Sequence, residues 1–118
     1  MSHKKVSWKE LDAFTDLGGE LKIYTGPLGS EKMDLVIGRF EPGEGLKPHY
    51  HRAPTDEIYY IYKGSITVHV GDETYEAEEG DAFFVPAGVV HYPVNNSQES
   101  CWVAFVLSPP EGELPVLV

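Results

Sequence analysis

Cysteine is almost absent. Cys101 stands alone, which excludes an internal disulfide and any paired-cysteine redox or zinc motif. A chain so poor in thiols fits a reducing compartment. Positive charge is also scarce: 9 lysines and arginines face 19 acidic residues, for a net charge of −10. The basic residues are scattered, and only His3-Lys4-Lys5 forms a short run. That excludes the basic patch expected of a protein that binds DNA, RNA or an anionic membrane. No apolar run approaches the roughly 18–20 residues that cross a bilayer. The opening residues MSHKKVSW lack the apolar centre of a secretory signal. The chain is therefore expected to be soluble and cytoplasmic. It has no internal repeat, linker or low-complexity tract, so its 118 residues read as one domain, 1–118, able to bury a core without staples.

What is present is punctuation. Short runs rich in β-branched and aromatic residues alternate with Gly, Pro, Asn and Asp. The runs Glu20–Thr25, Met33–Phe40, Glu57–Tyr62, Ser65–Val70, Glu73–Ala77, Ala82–Val85, His91–Val94 and Cys101–Leu107 read as strands. Their close spacing predicts an all-β sandwich or barrel, and no strand–helix alternation of the α/β kind occurs. Ser7 and Glu10 have the spacing of a capping box before Leu11 and Phe14, so a short N-terminal helix or an irregular arm opens the chain.

Alternation divides each strand into two faces. In Ser65–Val70, Ile66, Val68 and Val70 face one way, and Ser65, Thr67 and His69 the other, towards solvent. In Glu57–Tyr62 both faces are largely apolar: Glu57, Tyr59 and Ile61 share one, Ile58, Tyr60 and Tyr62 the other. The second face needs a cover. A second copy of the chain is expected to supply it, giving a homodimer, unless the N-terminal segment does so.

His49 and His51 are two residues apart, so on an extended strand their imidazoles share a face and can reach one point. Pro48 disfavours helix there. Glu57 follows after Arg52-Ala53-Pro54-Thr55, which reads as a turn. His91 lies forty residues beyond His51, within reach only after folding. Three neutral imidazoles and one carboxylate suit a divalent Fe, Mn, Ni or Zn ion and leave coordination positions open. His69 faces solvent and His3 sits near the terminus, so neither is expected to bind metal.

These residues fall in a larger pattern. Gly43, His49, His51, Glu57 and Gly64 resemble the first motif of the cupin superfamily, G-x5-H-x-H-x3,4-E-x6-G, over residues 43–64. Gly80, Pro86, Gly88, His91 and Asn95 match every position of the second, G-x5-P-x-G-x2-H-x3-N, over residues 80–95. At average composition the Gly-Pro-Gly frame alone arises about once in 4,000 starting points. One departure is visible: five residues, Arg52 to Asp56, separate His51 from Glu57 where the motif allows three or four. Asp56 would restore that gap but break the spacing to Gly64. Glu57 keeps it, and an extra turn residue is easily absorbed. Glu57 is therefore the preferred carboxylate.

The resemblance implies a single-domain cupin, a double-stranded β-helix of jelly-roll type, with one divalent ion on His49, His51, Glu57 and His91. It implies a metal-dependent enzyme acting on a small polar molecule chelated to the ion, of dioxygenase, isomerase, cyclase or lyase type. The alternatives are a non-catalytic binding or sensing module and a barrel whose ion only stabilises it. Pro86–His91 is expected at the cavity mouth, with Tyr59, Ile61 and Val68 excluding water from the interior. Arg39 is expected on the surface, although a cavity-facing position would let it anchor an anion. Cys101 reads as a buried structural thiol, and the acidic run 72–81 as a solvated hairpin.

Overall fold

The computed structural model describes residues 4–118, so the expectation for His3 lies outside the described residues. The strands are β1 Glu20–Ile23, β2 Asp34–Phe40, β3 His49–Tyr50, β4 Asp56–Lys63, β5 Ser65–Val70, β6 Glu73–Glu78, β7 Ala82–Val85, β8 His91–Val94, β9 Cys101–Ser108 and β10 Val116–Leu117. They form two five-stranded antiparallel sheets, ordered β1-β2-β9-β4-β7 and β10-β3-β8-β5-β6. This is the all-β double-stranded helix expected from the runs and turns. No helix among the described residues is long and apolar enough to cross a membrane.

The two inner faces meet in the core. Phe40, Tyr59, Ile61, Val85, Val103, Phe105 and Leu107 from one sheet pack towards Ile66, Val68 and Ala77 from the other, all buried. Tyr59 stacks on Phe83 and meets Phe105 edge-on, with ring centroids 4.9 and 4.6 Å away. These aromatic contacts fill the interior below the histidines. Cys101 is fully buried within this core, and that burial pushes its thiol up to about 11.

Several local expectations change. The N-terminal helix is a single 3-10 turn, Trp8–Glu10, whose Glu10 carboxylate accepts the Ser7 N–H at 3.4 Å. Thr25 does not end a strand but begins α1, Thr25–Leu28, which stops at Gly29 with φ 68°. Pro27 fits there because the first turn of a helix has no N–H partners to lose. Strands β3 and β10, two residues each, are too short to carry a periodic signal. Thr67 is buried rather than solvent-facing: its hydroxyl donates to Glu76 at 2.9 Å and accepts from Asn96 at 3.2 Å. On β4, Ile58, Tyr60 and Tyr62 face outwards and stay 47%, 46% and 38% exposed. The N-terminal turn does not cover Ile58; its Trp8 packs against Trp102 instead, the rings tilted at 57° with centroids 5.2 Å apart.

Gly64 joins β4 to β5 with φ 82°, and a Cβ there would lie 2.5 Å from the Ser100 carbonyl oxygen. Both backbone strain and collision oppose any side chain. Gly64→Ala is expected to destabilise the fold by about 2 kcal/mol or more. Denaturant unfolding checks this: the midpoint should fall with an unchanged slope.

Candidate functional site

The two motifs are tied together by backbone. His49 and His91 are direct cross-strand partners in the β3–β8 pair. The Gly88 N–H donates to the His51 carbonyl at 2.9 Å, fastening the Pro86-Ala87-Gly88 turn to the first motif. The Thr55 N–H closes the Arg52–Thr55 turn onto Arg52 at 3.0 Å, which absorbs the extra residue before Glu57. Asn95, the last residue of the second motif, is fully buried and donates to the carbonyls of Phe40 and Glu99. Its task is to hold the end of β2 against the loop after β8.

His49, His51 and His91 are 3%, 8% and 0% exposed, and one nitrogen of each lies within 4.8 Å of the others. Glu57 enters from the opposite sheet. Its Oε1 stands 3.1 Å from His51 Nε2 and 2.9 Å from His91 Nε2. Asp56 points the other way, exposed, with Oδ1 accepting the Ala87 N–H at 3.0 Å. Alternation along β4 turns Glu57 inward, as the spacing to Gly64 requires.

The outer nitrogens determine what the inner ones can do. His49 Nδ1 donates to the Lys47 carbonyl at 2.6 Å, and His91 Nδ1 to the Val89 carbonyl at 2.9 Å. Carbonyl oxygens only accept, so these nitrogens carry the hydrogen and each neutral ring turns a lone pair inward. His51 lies between two carboxylates, with Glu111 Oε1 2.9 Å from Nδ1 and Glu57 Oε1 3.1 Å from Nε2, so a proton and a metal ion compete for its inner nitrogen. Lone pairs and a carboxylate oxygen thus converge, an arrangement that repels itself unless positive charge sits among them. Burial, then neighbouring His91, lowers His49 to about 4. Burial alone would lower His51, but the hydrogen bonds and charges of Glu57 and Glu111 outweigh it and raise it. Burial would likewise raise Glu57, yet His51 and His91 hold it below the usual carboxylate range. An ionised carboxylate beside a His49 that resists protonation is a donor set that fits a divalent cation.

A cavity of about 410 Å³ opens beside the cluster. His49, His51 and Glu57 line it together with the N-terminal segment, β1, β2 and the tail 110–115. Pro86–His91, expected at the mouth, does not line it. Tyr59, Ile61 and Val68 are fully buried but pack as solid core and do not line it. Arg39 is on the surface: it pairs with Glu20 at 2.8 Å and lies over the Trp102 ring. His69 is also away from the cluster, stacked on Tyr92 and bonded to Thr74.

Glu111 is the residue that sequence reasoning missed. Besides His51, its carboxylate takes the Arg52 N–H and guanidinium, each at 2.9 Å. Thr55 donates to the Pro109 carbonyl at 2.8 Å, so the tail is fastened along the turn after His51. Sixty residues separate Glu111 from His51, and no spacing links them.

A family model described as "Cupin domain" matches residues 36–107. A 3-hydroxyanthranilate 3,4-dioxygenase of Brucella anthropi is 30% identical over 91 residues, covering 72% of this chain and 48% of that protein. An uncharacterized protein of Streptomyces coelicolor is 38% identical over 69 residues, 58% of this chain and 61% of that one. The chain thus spans roughly half to three-fifths of the length of these relatives. Among solved structures, the polyketide cyclase RemF from Streptomyces resistomycificus superposes with TM-score 0.80 at 21% identity, covering 99% of this chain and 87% of that one.

Removing the Glu111 carboxylate should loosen the tail and the His51 loop together. In Glu111→Ala the Arg52 amide is expected to exchange with solvent about tenfold faster, since a hydrogen bond to a charged group is lost. Amide hydrogen exchange checks this, and unchanged protection at Arg52 would contradict it.

Proposed function

This chain belongs to the cupin domain family, and on that premise we propose that it is a metalloprotein with one divalent ion on His49, His51, Glu57 and His91, acting as an enzyme on a small molecule held in the adjoining cavity. The observation that carries the reading is the cluster of three buried imidazoles, one nitrogen of each within 4.8 Å of the others, with the Glu57 carboxylate beside His51 and His91 and each ring held through its outer nitrogen. Iron, manganese, nickel or zinc each suits such a set, and when bound supplies a Lewis acid that polarises an oxygen of the ligand. The chain's own residues do the rest. Lys47, Val89 and Glu111 orient the rings. The apolar cavity walls keep bulk water out, which strengthens every charge interaction inside.

The dioxygenase among the relatives supports an enzyme reading without selecting the reaction. A non-catalytic binding module is the rival. The apo-protein reconstituted separately with Fe(II), Mn(II), Ni(II) and Zn(II), and assayed for oxygen uptake and turnover, separates the two. If every form binds a ligand and none turns it over, the binding module replaces the enzyme.

His91→Ala should sharply reduce bound metal by elemental analysis and lower the melting temperature, because an ion that binds only the folded chain stabilises it. Glu57→Gln should lose metal and Asp56→Asn retain it. The reverse pattern would move the carboxylate ligand to Asp56.

The chain is also proposed to pair with a second copy. Phe84, Ile58 and Val106 form one cross-strand row on the outer sheet face, 58%, 47% and 39% exposed, continuous with Tyr60 and Tyr62. A contiguous apolar patch of this kind marks an interface. Light scattering should give twice the 13.1 kDa chain mass, and Ile58→Glu should halve it. A monomeric wild type at tens of micromolar would reject the pairing.

A further inference from the structure

We infer that the cavity takes an uncharged, mainly apolar molecule of about one ring, carrying a hydrogen-bond donor at the end away from the imidazoles, and that Asp34 and Thr25 select it by accepting from that donor. The inference deepens the metal-site reading above and rests on it.

Phe14, Leu17, Leu21, Val36, Phe105 and Leu114 supply most of the lining. Among the described residues, the charged side chains that reach the cavity other than the histidines are four carboxylates, Asp34, Glu57, Glu111 and Glu113, and no lysine or arginine lines it. Arg39, which would have offset them, is turned outward onto Glu20 and Glu41. Arg52 pairs with Glu111 and Glu113 from outside, which leaves Asp34 as the lining carboxylate with no basic partner, and a second anion placed beside it is opposed.

Two buried acceptors in the cavity lack a donor. Glu57 and Glu111 are engaged by the histidines and Arg52, and Glu113 by Arg52. Asp34 Oδ1 and Thr25 Oγ1 are buried and have no hydrogen-bond partner among the described residues. Such atoms need a donor from water or a ligand. Along β2 the inward positions are Asp34, Val36, Gly38 and Phe40, so an aspartate interrupts an otherwise apolar row. In register, Asp34 pairs with Leu107, and Leu107 with Glu57. Asp34 and Glu57 thus share one sheet face two strands apart, roughly 10 Å between backbones. Leu107 stands between them on that face, so a ligand reaching from the histidine cluster to Asp34 would lie over Leu107, a span of about one ring. Burial, then the charge of Glu57, raises the Asp34 carboxyl, as expected of an acceptor with no cation beside it.

Three catechols test this, sharing the chelating pair and differing at one position: 3,4-dihydroxybenzyl alcohol, 4-methylcatechol and 3,4-dihydroxybenzoate. Metal content is measured first by elemental analysis, then dissociation constants by calorimetry on the protein as purified. The alcohol should bind about tenfold tighter than 4-methylcatechol, through the added hydrogen bond to a charged acceptor. The benzoate should bind at least about tenfold weaker than 4-methylcatechol. Asp34→Asn should erase the discrimination against the benzoate, and Asp34→Leu and Thr25→Val should erode the preference for the alcohol, with melting temperatures confirming that each variant is folded. Metal present with equal affinities for all three compounds, or with none bound, overturns this inference and leaves the metal reading standing. Metal absent with the same ranking in thermal shift overturns the metal reading alone. Metal absent with no ranking overturns both.

Discussion

The inward imidazole lone pairs and the Glu57 carboxylate oppose one another unless positive charge sits among them, and this is the constraint on which the proposed metal site rests. His49 and His91 spend their outer hydrogens on the carbonyls of Lys47 and Val89, and so present lone pairs to the interior. Glu57 adds a carboxylate oxygen 2.9 Å from one of those lone pairs. Two added protons would place adjacent imidazolium charges in a buried space, and burial already resists protonation of His49. A single divalent cation answers every one of these groups at once, without requiring the rings to turn.

The fold makes the arrangement by register. Glu57 belongs to the row Asp34–Leu107–Glu57–Val85 of one sheet, and His49 and His91 to a cross-strand pair of the other. Slipping β4 by one residue would send Glu57 out and Asp56 in. Gly64 guards against that slip, because its positive φ and its contact with Ser100 admit no other residue at the corner. Asn95 and the Gly88 N–H tie the loops that carry His91 to those that carry His49 and His51.

Much of this was legible because it is local. Strand runs, turn glycines and the His-x-His pair are read from a few adjacent residues, and seven of the eight expected strands match to within a residue at each end. The exception is Glu20–Thr25, where a prolyl turn that reads as a strand end is also an acceptable first turn of helix. The choice of Glu57 over Asp56 was legible through Gly64, since both lie on one strand and period-2 alternation connects them. Glu111 and Asp34 were not legible. Each acts across a distance that only the folded topology sets, and an isolated glutamate after Pro109-Pro110 or an aspartate opening a strand has ordinary turn and solvent readings. The cavity mouth was misassigned for the same reason: where the tail 110–115 returns is decided by Thr55, Arg52 and Glu111 together, not by any run of residues.

The tail also changes the meaning of the chain's acidity. A net charge of −10 reads from composition as a solvated surface, and most of the carboxylates are indeed outside. Four of them instead line one cavity. Two of those four anchor the chain's own machinery, Glu57 on the histidines and Glu111 on His51 and Arg52, so their charge is spent on geometry. Asp34 is different: it has a buried oxygen with no partner and lies beyond Leu107 from the cluster. Beside the apolar side chains of β1, β2 and β9 that line this cavity, a buried carboxylate oxygen without a donor carries a desolvation cost. Its open oxygen is left to a donor from water or from a ligand, and a ligand that brings a neutral donor satisfies it without adding negative charge.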